Sequence, residues 1–357
     1  MYLCWTQSGS EEGGLDWADG IWIRKYKISG EKLAEASFPG VYQRIVEGHV
    51  ENVGNSKLSL GICGASGGGC WVLWLERIHG EEAENDYNLP EICTTYARHL
   101  NSFLEPVGEL IKIRTLRYLH STLGSIASAE DGSFVIVWQD NKYELRWGQW
   151  TSTKTFVYAQ RFDPSGKRVG DPIVVAQQGL SEPAPRVAVD SQGNFLVTWS
   201  RGPYLMAARF DKNGNRIGRS FSPADISSRR CMAVIGRNGK IAFAYSKVWV
   251  GEGKPYGPID DMRNIFLRVI DFYALPFLRG DANSDEAVDL ADALWILSYL
   301  FGEGDPPAIP DAADTNHSGV IDLSDPIYLL RFLFLEGVTT LPHPYPYFGY
   351  DPTPDEL

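Results

Sequence analysis

Three absences limit the functions open to this chain of 357 residues. It has only five cysteines and no Cys-x-x-Cys pair, which argues against a thiolate zinc site. Its apolar runs fall far short of the roughly 20 residues that a membrane-spanning helix needs. Positive charge is scarce, since 33 Lys and Arg face 45 Asp and Glu and leave a net charge of −12. Such a chain is not a nucleic-acid module driven by basic charge.

The N-terminal residues show no secretion leader, because Met1 is followed directly by Tyr-Leu-Cys-Trp without a basic start. Taken alone, this predicts a cytoplasmic protein. However, the first residues read as the middle of a repeat, so the alternative is a leader upstream of this sequence. Cys63 and Cys70 flank a Gly-rich hairpin tip, where a disulfide typical of an oxidising compartment and two buried thiols are both open interpretations.

A pattern of short strands recurs over residues 1–276. The clearest copies, residues 126–138 and 187–199, contain a short strand, a Gly turn and a β-rich strand that ends in Trp. A strand, an Asp-led turn and another strand follow, best seen at residues 159–170 and 208–218. The unit is therefore predicted to be four short antiparallel strands in about 45–70 residues. Its marker aromatics are Trp5, Trp74, Trp138, Trp199 and Tyr245.

These copies resemble bacterial secreted repeats in which a strand ending in Trp is followed by a Gln-Arg-Phe-Asp turn. The match is good over residues 118–222 and weak outside them. The resemblance implies a mainly β fold, with residues 1–276 forming a β-propeller-like domain of four-stranded antiparallel blades. The first blade is expected to be incomplete, because residues 1–40 supply only its later strands. Either the native start is missing from this sequence, or a C-terminal strand closes the ring.

The repeats show no catalytic constellation. Asp163 and Asp211 recur in turns, where an Asp side chain typically bonds the turn backbone. The Trp residues are expected to pack in the blade cores rather than to bind sugar. The paired acids of a glycosidase are not seen at recurring positions, and the scattered histidines lack a metal-binding spacing.

The negative charge is concentrated near the C-terminus. Residues 281–325 contain eleven carboxylates and no Lys or Arg, whereas the rest of the chain has 33 basic and 34 acidic residues. Two oxygen-rich series fall at positions 1, 3, 5, 7, 9 and 12 of an EF-hand-type loop, the spacing that holds Ca²⁺. The predicted ligands are Asp281, Asn283, Asp285, Ala287, Asp289 and Asp292 in loop 1, and Asp314, Asn316, Ser318, Val320, Asp322 and Asp325 in loop 2. Position 7 supplies its backbone carbonyl, and position 8 (Val288, Ile321) is expected to anchor the loops.

Each loop leads into a helical pattern, at residues 292–301 and 325–334, and no helix pattern precedes either loop. This tandem resembles a dockerin over Gly280–Asp292 and Asp314–Asp325. The resemblance implies a small all-α calcium-binding module at residues 277–340, a Pro-rich tail at 341–357, and a cohesin-like protein partner. Glu286 replaces the expected Gly at position 6 and Ser318 is a neutral ligand, so we expect weaker calcium binding than in a well-formed pair.

Three hypotheses follow. The leading one is a non-enzymatic binding or scaffold protein, extracellular or on the cell surface, whose dockerin-like module attaches it to a partner in the presence of Ca²⁺. The alternative is a component or enzyme of extracellular polysaccharide degradation, for which the dockerin resemblance is an analogy only. The third is a fragment of a larger protein.

Overall fold

The computed structural model describes residues 2–9, 18–27, 29–38, 43–46, 49–52, 55–78, 92–117, 124–146, 149–179, 184–202, 204–223, 231–246, 265–302, 304–335 and 340–351. Within these ranges the chain is mainly β, and its α-helices lie in the C-terminal part, while a short 3₁₀ helix spans Ser66–Gly68. It divides into two compact units. The first contains residues 1–199, 210–215 and 233–237, and the second contains residues 200–209, 216–232 and 238–357. The domain limits at 276 and 340 stay predictions.

The N-terminal strands form one sheet of seven strands. They are β1 (Tyr2–Gly9), β2 (Ala18–Tyr26), β3 (Lys32–Phe38), β6 (Asn55–Gly64), β7 (Cys70–Ile78), β8 (Ile92–Leu100) and β9 (Pro106–Arg117). Their order is β1-β2-β6-β7-β8-β9, and β3 also pairs with β2. A parallel pairing of Asp19 with Ser56 joins two groups that the repeat predicts as separate sheets. The short strands β4 (Gln43–Val46) and β5 (His49–Asn52) pair with each other.

The next two sheets have the predicted four strands each. One is β10 (Gly124–Ser128), β11 (Phe134–Arg146), β12 (Gln149–Phe162) and β13 (Arg168–Gln178), all paired antiparallel in chain order. The other is β14 (Arg186–Val189), β15 (Phe195–Arg201), β16 (Tyr204–Phe210) and β17 (Arg216–Phe221). The last sheet has three strands, β18 (Cys231–Ile235), β19 (Lys240–Ser246) and β20 (Ile265–Asp271). Four-stranded sheets are therefore confirmed, and closure of the sheets into a propeller stays a prediction.

The marker aromatics lie in the cores of these sheets, as the repeat predicts. Trp74, Trp138, Trp199 and Tyr245 are each less than a tenth exposed, and the side chain of Trp5 lies outside the described residues. Around Trp138 a cluster of buried side chains brings together strands of the first and second sheets, including Trp71, Ile126 and Phe134. Burial of such large side chains is the main stabilising term of a β domain.

The repeated turns also follow their sequence signals. The glycines six positions before the markers all have a positive φ, of 80° at Gly68, 87° at Gly132, 91° at Gly193 and 74° at Gly239. This is the conformation that glycine adopts without a steric penalty. The Asp163 carboxylate accepts amide hydrogen bonds from Ser165 and Lys167, and Asp211 does the same from Asn213 and Asn215. Their predicted role in turn formation is confirmed.

An arginine that recurs in two repeats donates hydrogen bonds to backbone carbonyls of the following repeat. Arg161 Nη1 donates to the Lys212 carbonyl at 2.7 Å. The equivalent Arg209 donates through Nη1 to the carbonyls of Phe272 and Ala274, the latter at 2.7 Å. The sequence shows these residues as part of a Gln/Ala-Arg-Phe-Asp repeat, but their partners lie 51 to 65 residues away. In both copies of the motif, the arginine therefore makes a contact between neighbouring repeats.

Cys63 and Cys70 lie on adjacent strands and are not joined by a disulfide. Cys63 lies opposite Trp71, and Cys70 lies opposite Gly64. Because successive side chains of a strand point to opposite faces, the two sulfur atoms enter different core clusters. The structure therefore supports two thiols, of which Cys70 is buried and Cys63 is partly buried. The side chains of Cys4 and Cys93 lie outside the described residues.

The C-terminal helices are α1 (Leu290–Phe301), α2 (Pro310–Ala313) and α3 (Ser324–Phe334). Helices α1 and α3 follow the two loops, as predicted, and pack on one another through Ala293, Ile296 and Leu329. The expectation that no helix precedes either loop is wrong for loop 2, because the single-turn α2 ends directly before Asp314. Pro310 starts this turn, and proline is favoured at the first position of a helix.

In the described part of the chain, no helix is both long and apolar enough to cross a membrane.

Candidate calcium-loop site

The two predicted loops have the same hydrogen-bond pattern. In each, the carboxylate at position 12 accepts the amide of position 3 at 3.2 Å and the amide of position 9 at 2.9 Å. These acceptors are Asp292 and Asp325. The position 1 carboxylate accepts the amide of position 6, at 3.1 Å from Glu286 to Asp281 and at 2.8 Å from Gly319 to Asp314. Matching bonds in both loops show that the twelve-residue register found in the sequence is a structural repeat.

The closing carboxylates are fully buried. Asp292 and Asp325 have no exposed surface, and burial raises the pKa of each to about 6. Burial also raises the pKa of Asp281. Desolvation disfavours a carboxylate anion unless it is paired with a cation or with hydrogen-bond donors. These acids therefore lie where a bound cation would stabilise their charged form.

Two loop oxygens are buried without a hydrogen-bond partner. They are Asp281 Oδ1 at position 1 of loop 1 and Asn316 Oδ1 at position 3 of loop 2. A buried polar atom without a partner is costly, so such atoms commonly bind an ion or water. Since all the proposed side-chain donors are oxygen atoms, they fit a hard cation such as Ca²⁺ rather than a thiophilic metal.

The acids alone do not form a metal cluster. Among the described residues, no three His, Cys, Asp or Glu side chains are grouped as a metal site. An EF-hand-type loop also uses amide, hydroxyl and backbone oxygens, which here belong to Asn283, Asn316, Ser318 and the position 7 carbonyls. The ligand set from Asp281 to Asp325 and its calcium thus stay a prediction.

The position 9 acids accept backbone amides at the helix starts, and Asp289 is the N-cap of α1. Asp289 accepts the amide of Ala291 at 2.7 Å at the start of α1. Asp322 accepts the amide of Ser324 at 2.7 Å at the start of α3, and the Ser324 hydroxyl lowers the pKa of Asp322. An acid at a helix start is stabilising with or without a metal. The position 9 carboxylates therefore join each loop to its helix.

The position 8 side chains anchor the loops, as predicted. Val288 and Ile321 pack against the core that α1 and α3 share. Outside this core, four apolar side chains of the same elements remain about half exposed: Leu290 (46%), Leu294 (56%), Leu323 (47%) and Ile327 (48%). Leu290 and Leu323 hold position 10 of their loops. The module thus presents an apolar surface beside its acidic loops.

The C-terminal segment is bound to the last sheets, a feature that the sequence does not indicate. Phe277 and Gly349 exchange two backbone hydrogen bonds, at 2.8 and 2.9 Å, and the Ser222 amide donates to the Phe348 carbonyl at 2.5 Å. Tyr350 donates its hydroxyl to the Ala274 carbonyl at 3.1 Å. Residues 343–351 are therefore an ordered part of the fold and not a free tail.

A cavity of about 250 Å³ adjoins loop 1 in the second unit. Its lining includes Asp281, Ser284 and Glu286 of loop 1 together with Arg209, Arg219 and Phe348. The first ligand position of loop 1 therefore borders open space.

No known protein family matches the chain, and no curated protein matches it. Among solved structures, an α-L-arabinanase from Penicillium chrysogenum has 13% identity over 76% of this chain and 72% of its own, with a TM-score of 0.44. An α-L-arabinofuranosidase from Fusarium graminearum has 9% identity over 69% and 73%, with a TM-score of 0.37. The Aleuria aurantia lectin has 9% identity over 76% and 96%, with a TM-score of 0.28. At TM-scores below 0.5, these likenesses assign neither an activity nor a ligand to the chain.

Proposed function

We propose that this chain is an extracellular or cell-surface binding protein that a calcium-ordered, dockerin-like module attaches to a protein partner. The observation that carries the proposal is the identical hydrogen-bond pattern of the two loops around the buried Asp292 and Asp325. An acidic tail without a loop structure would not show the same hydrogen bonds at the same positions twice. Bound calcium would supply the positive charge that balances these two carboxylates.

The partner that fits the module has an apolar patch bordered by basic side chains. The exposed Leu290, Leu294, Leu323 and Ile327 provide the apolar contact. The eleven carboxylates and absent Lys and Arg of residues 281–325 favour a partner of opposite charge. A cohesin-like domain with such a surface is the partner class that we propose, and the β-sheet unit would be the part displayed.

The test measures the binding of the full chain to purified cohesin domains, in millimolar calcium and after calcium removal. We expect binding only with calcium, and its loss in a Leu294→Asp, Ile327→Asp variant. Phe103→Asp, an equally apolar and 76% exposed position outside the module, serves as the matched control. Binding that persists without calcium, or that the control disrupts equally, would contradict the proposal.

A second candidate is a component of polysaccharide degradation. Glu76 and Asp140 both lie two residues after a marker Trp, on β7 and β11, which corrects the expectation that no acids recur in the repeats. Burial raises the pKa of Asp140. Arg114, whose Nη1 lies 3.7 Å from the carboxylate, opposes this effect without cancelling it. A raised carboxyl pKa is a property of general acids. Release of reducing sugar from arabinan or other plant polysaccharides, abolished by Asp140→Asn, would favour this function over the first.

A further inference from the structure

Arg279 connects the two loops through its buried guanidinium. It lies directly before Gly280 and loop 1, yet its Nη1 donates to the backbone carbonyls of Asp311, at 3.0 Å, and of Asp314. The same nitrogen lies 3.8 Å from Asp314 Oδ2, and neither side chain is exposed. A fixed positive charge thus lies against the first ligand position of loop 2.

Asp351, from the C-terminal segment, balances this charge. Its Oδ2 pairs with Arg279 Nη2, and its Oδ1 lies 3.2 Å from His317 Nε2 in loop 2. The backbone carbonyl of Asp351 also accepts a hydrogen bond of 2.6 Å from Arg268 Nη2 on β20. One acidic residue therefore contacts loop 2, the residue before loop 1 and the last β-sheet.

A buried cation affects a neighbouring calcium loop in two ways. It repels the ion, and it attracts the Asp314 carboxylate that the ion needs. Both effects weaken when the arginine has a carboxylate of its own, because the opposite charge offsets the field of the guanidinium. An unpaired buried charge is also strongly destabilising. We propose that Asp351 is a positioning residue that neutralises Arg279 and thereby sets the calcium affinity of loop 2.

The proposal rests on calcium binding by loop 2, which is part of the proposed function. It also couples the ion to the β-sheets, because Asp351 is held at the same time by Arg268 and by the backbone pairing of Phe277 with Gly349. By thermodynamic linkage, calcium in loop 2 then strengthens the docking of the C-terminal segment.

The experiment isolates loop 2 by disabling loop 1 with Asp281→Ala in the full chain. Calcium dissociation constants are then measured by titration calorimetry with and without Asp351→Asn. The matched control is Asp305→Asn, which removes the same charge from an exposed position outside the predicted ligands. Loss of an outer-shell partner typically weakens metal binding by about 10- to 100-fold. We expect at least about tenfold for Asp351→Asn and a much smaller change for the control.

A double variant separates charge balance from folding. Arg279→Gln with Asp351→Asn removes both charges, and the new glutamine amide can still donate to the Asp314 carbonyl. We expect it to restore most of the affinity that Asp351→Asn loses. A double variant as weak as the single one, or an Asp351→Asn chain that binds like the Asp305→Asn control, would overturn this inference alone. A wild-type chain that takes up no calcium would overturn the proposed function as well.

Discussion

Glu286 and Gly319 occupy the same position in the two loops and share a left-handed backbone, with φ of 79° and 83°. Position 6 needs this conformation for the sharp turn of the loop. Glycine adopts it freely, whereas a residue with a Cβ atom is strained there by about 1–2 kcal/mol. Loop 1 therefore folds with a strain that loop 2 lacks.

Replacing Glu286 with Gly should relieve this strain. We expect Glu286→Gly to raise the free energy of unfolding by about 1 kcal/mol, measured by urea denaturation of the full chain. The variant also loses the ion pair with Arg219, whose side chain is 42% exposed, and such surface pairs contribute little. Gly319→Ala is the reciprocal control and should destabilise by a similar amount. A destabilised Glu286→Gly chain would show that the ion pair outweighs the strain.

Features that depend on local spacing could be predicted from the sequence. The Gly turns, the buried Trp residues and the loop register each depend on residues within about a dozen positions, so one copy of a pattern contains its own signal. For the same reason, the sequence also showed that Glu286 stands at position 6 of loop 1, where the pattern expects Gly.

Features that join distant segments could not be predicted. Asp351 lies 72 residues from Arg279, and nothing near either residue indicates the pair. The parallel join of Asp19 with Ser56 and the docking of Gly349 on Phe277 are likewise long-range contacts. The helix α2 was missed because its four residues, Pro310–Ala313, are too few to show a helical period.

Arg209 is expected to be important for stability. Its side chain is 1% exposed, and it satisfies the carbonyls of Phe272 and Ala274. In Arg209→Met the volume is largely kept, but the Phe272 carbonyl loses its donor and the Ala274 carbonyl keeps only the Tyr350 hydroxyl. The free energy of unfolding should therefore fall by about 2–4 kcal/mol. Arg237→Met is the control, because the Arg237 side chain is 86% exposed in its pair with Glu130. Equal effects of the two substitutions in urea denaturation would contradict this role.

The thiols of the described residues should be unreactive in the folded chain. Burial raises the pKa of both Cys63 and Cys231 to about 12, and Cys70 is fully buried. Because the thiolate is the nucleophile, iodoacetamide at pH 8 should label these three residues only after denaturation. Peptide mapping by mass spectrometry measures the labelling. Recovery of a linked Cys63–Cys70 peptide, or a melting temperature that falls with reductant, would show instead that a disulfide forms.

The stability of the calcium-free chain should depend on pH through Asp292 and Asp325. Their pKa is about 6 in the folded chain, and an unfolded Asp has a pKa of about 3.9. Between these values the folded chain binds more protons than the unfolded chain. The free energy of unfolding contributed by these residues is therefore greatest at low pH and falls as the pH rises from about 4 to 6.

Calcium should reverse this trend, because the ion takes the place of the bound protons and favours the charged carboxylates. We expect urea denaturation to show that added calcium stabilises the chain strongly at pH 7 and weakly at pH 4.5. An Asp292→Asn, Asp325→Asn chain should be more stable than wild type at pH 7 without calcium, and should gain little from the ion. Asp305→Asn should behave as wild type. If calcium stabilises wild type and the double variant equally at pH 7, then these two carboxylates do not bind the ion, and the loops repeat for a purely structural reason.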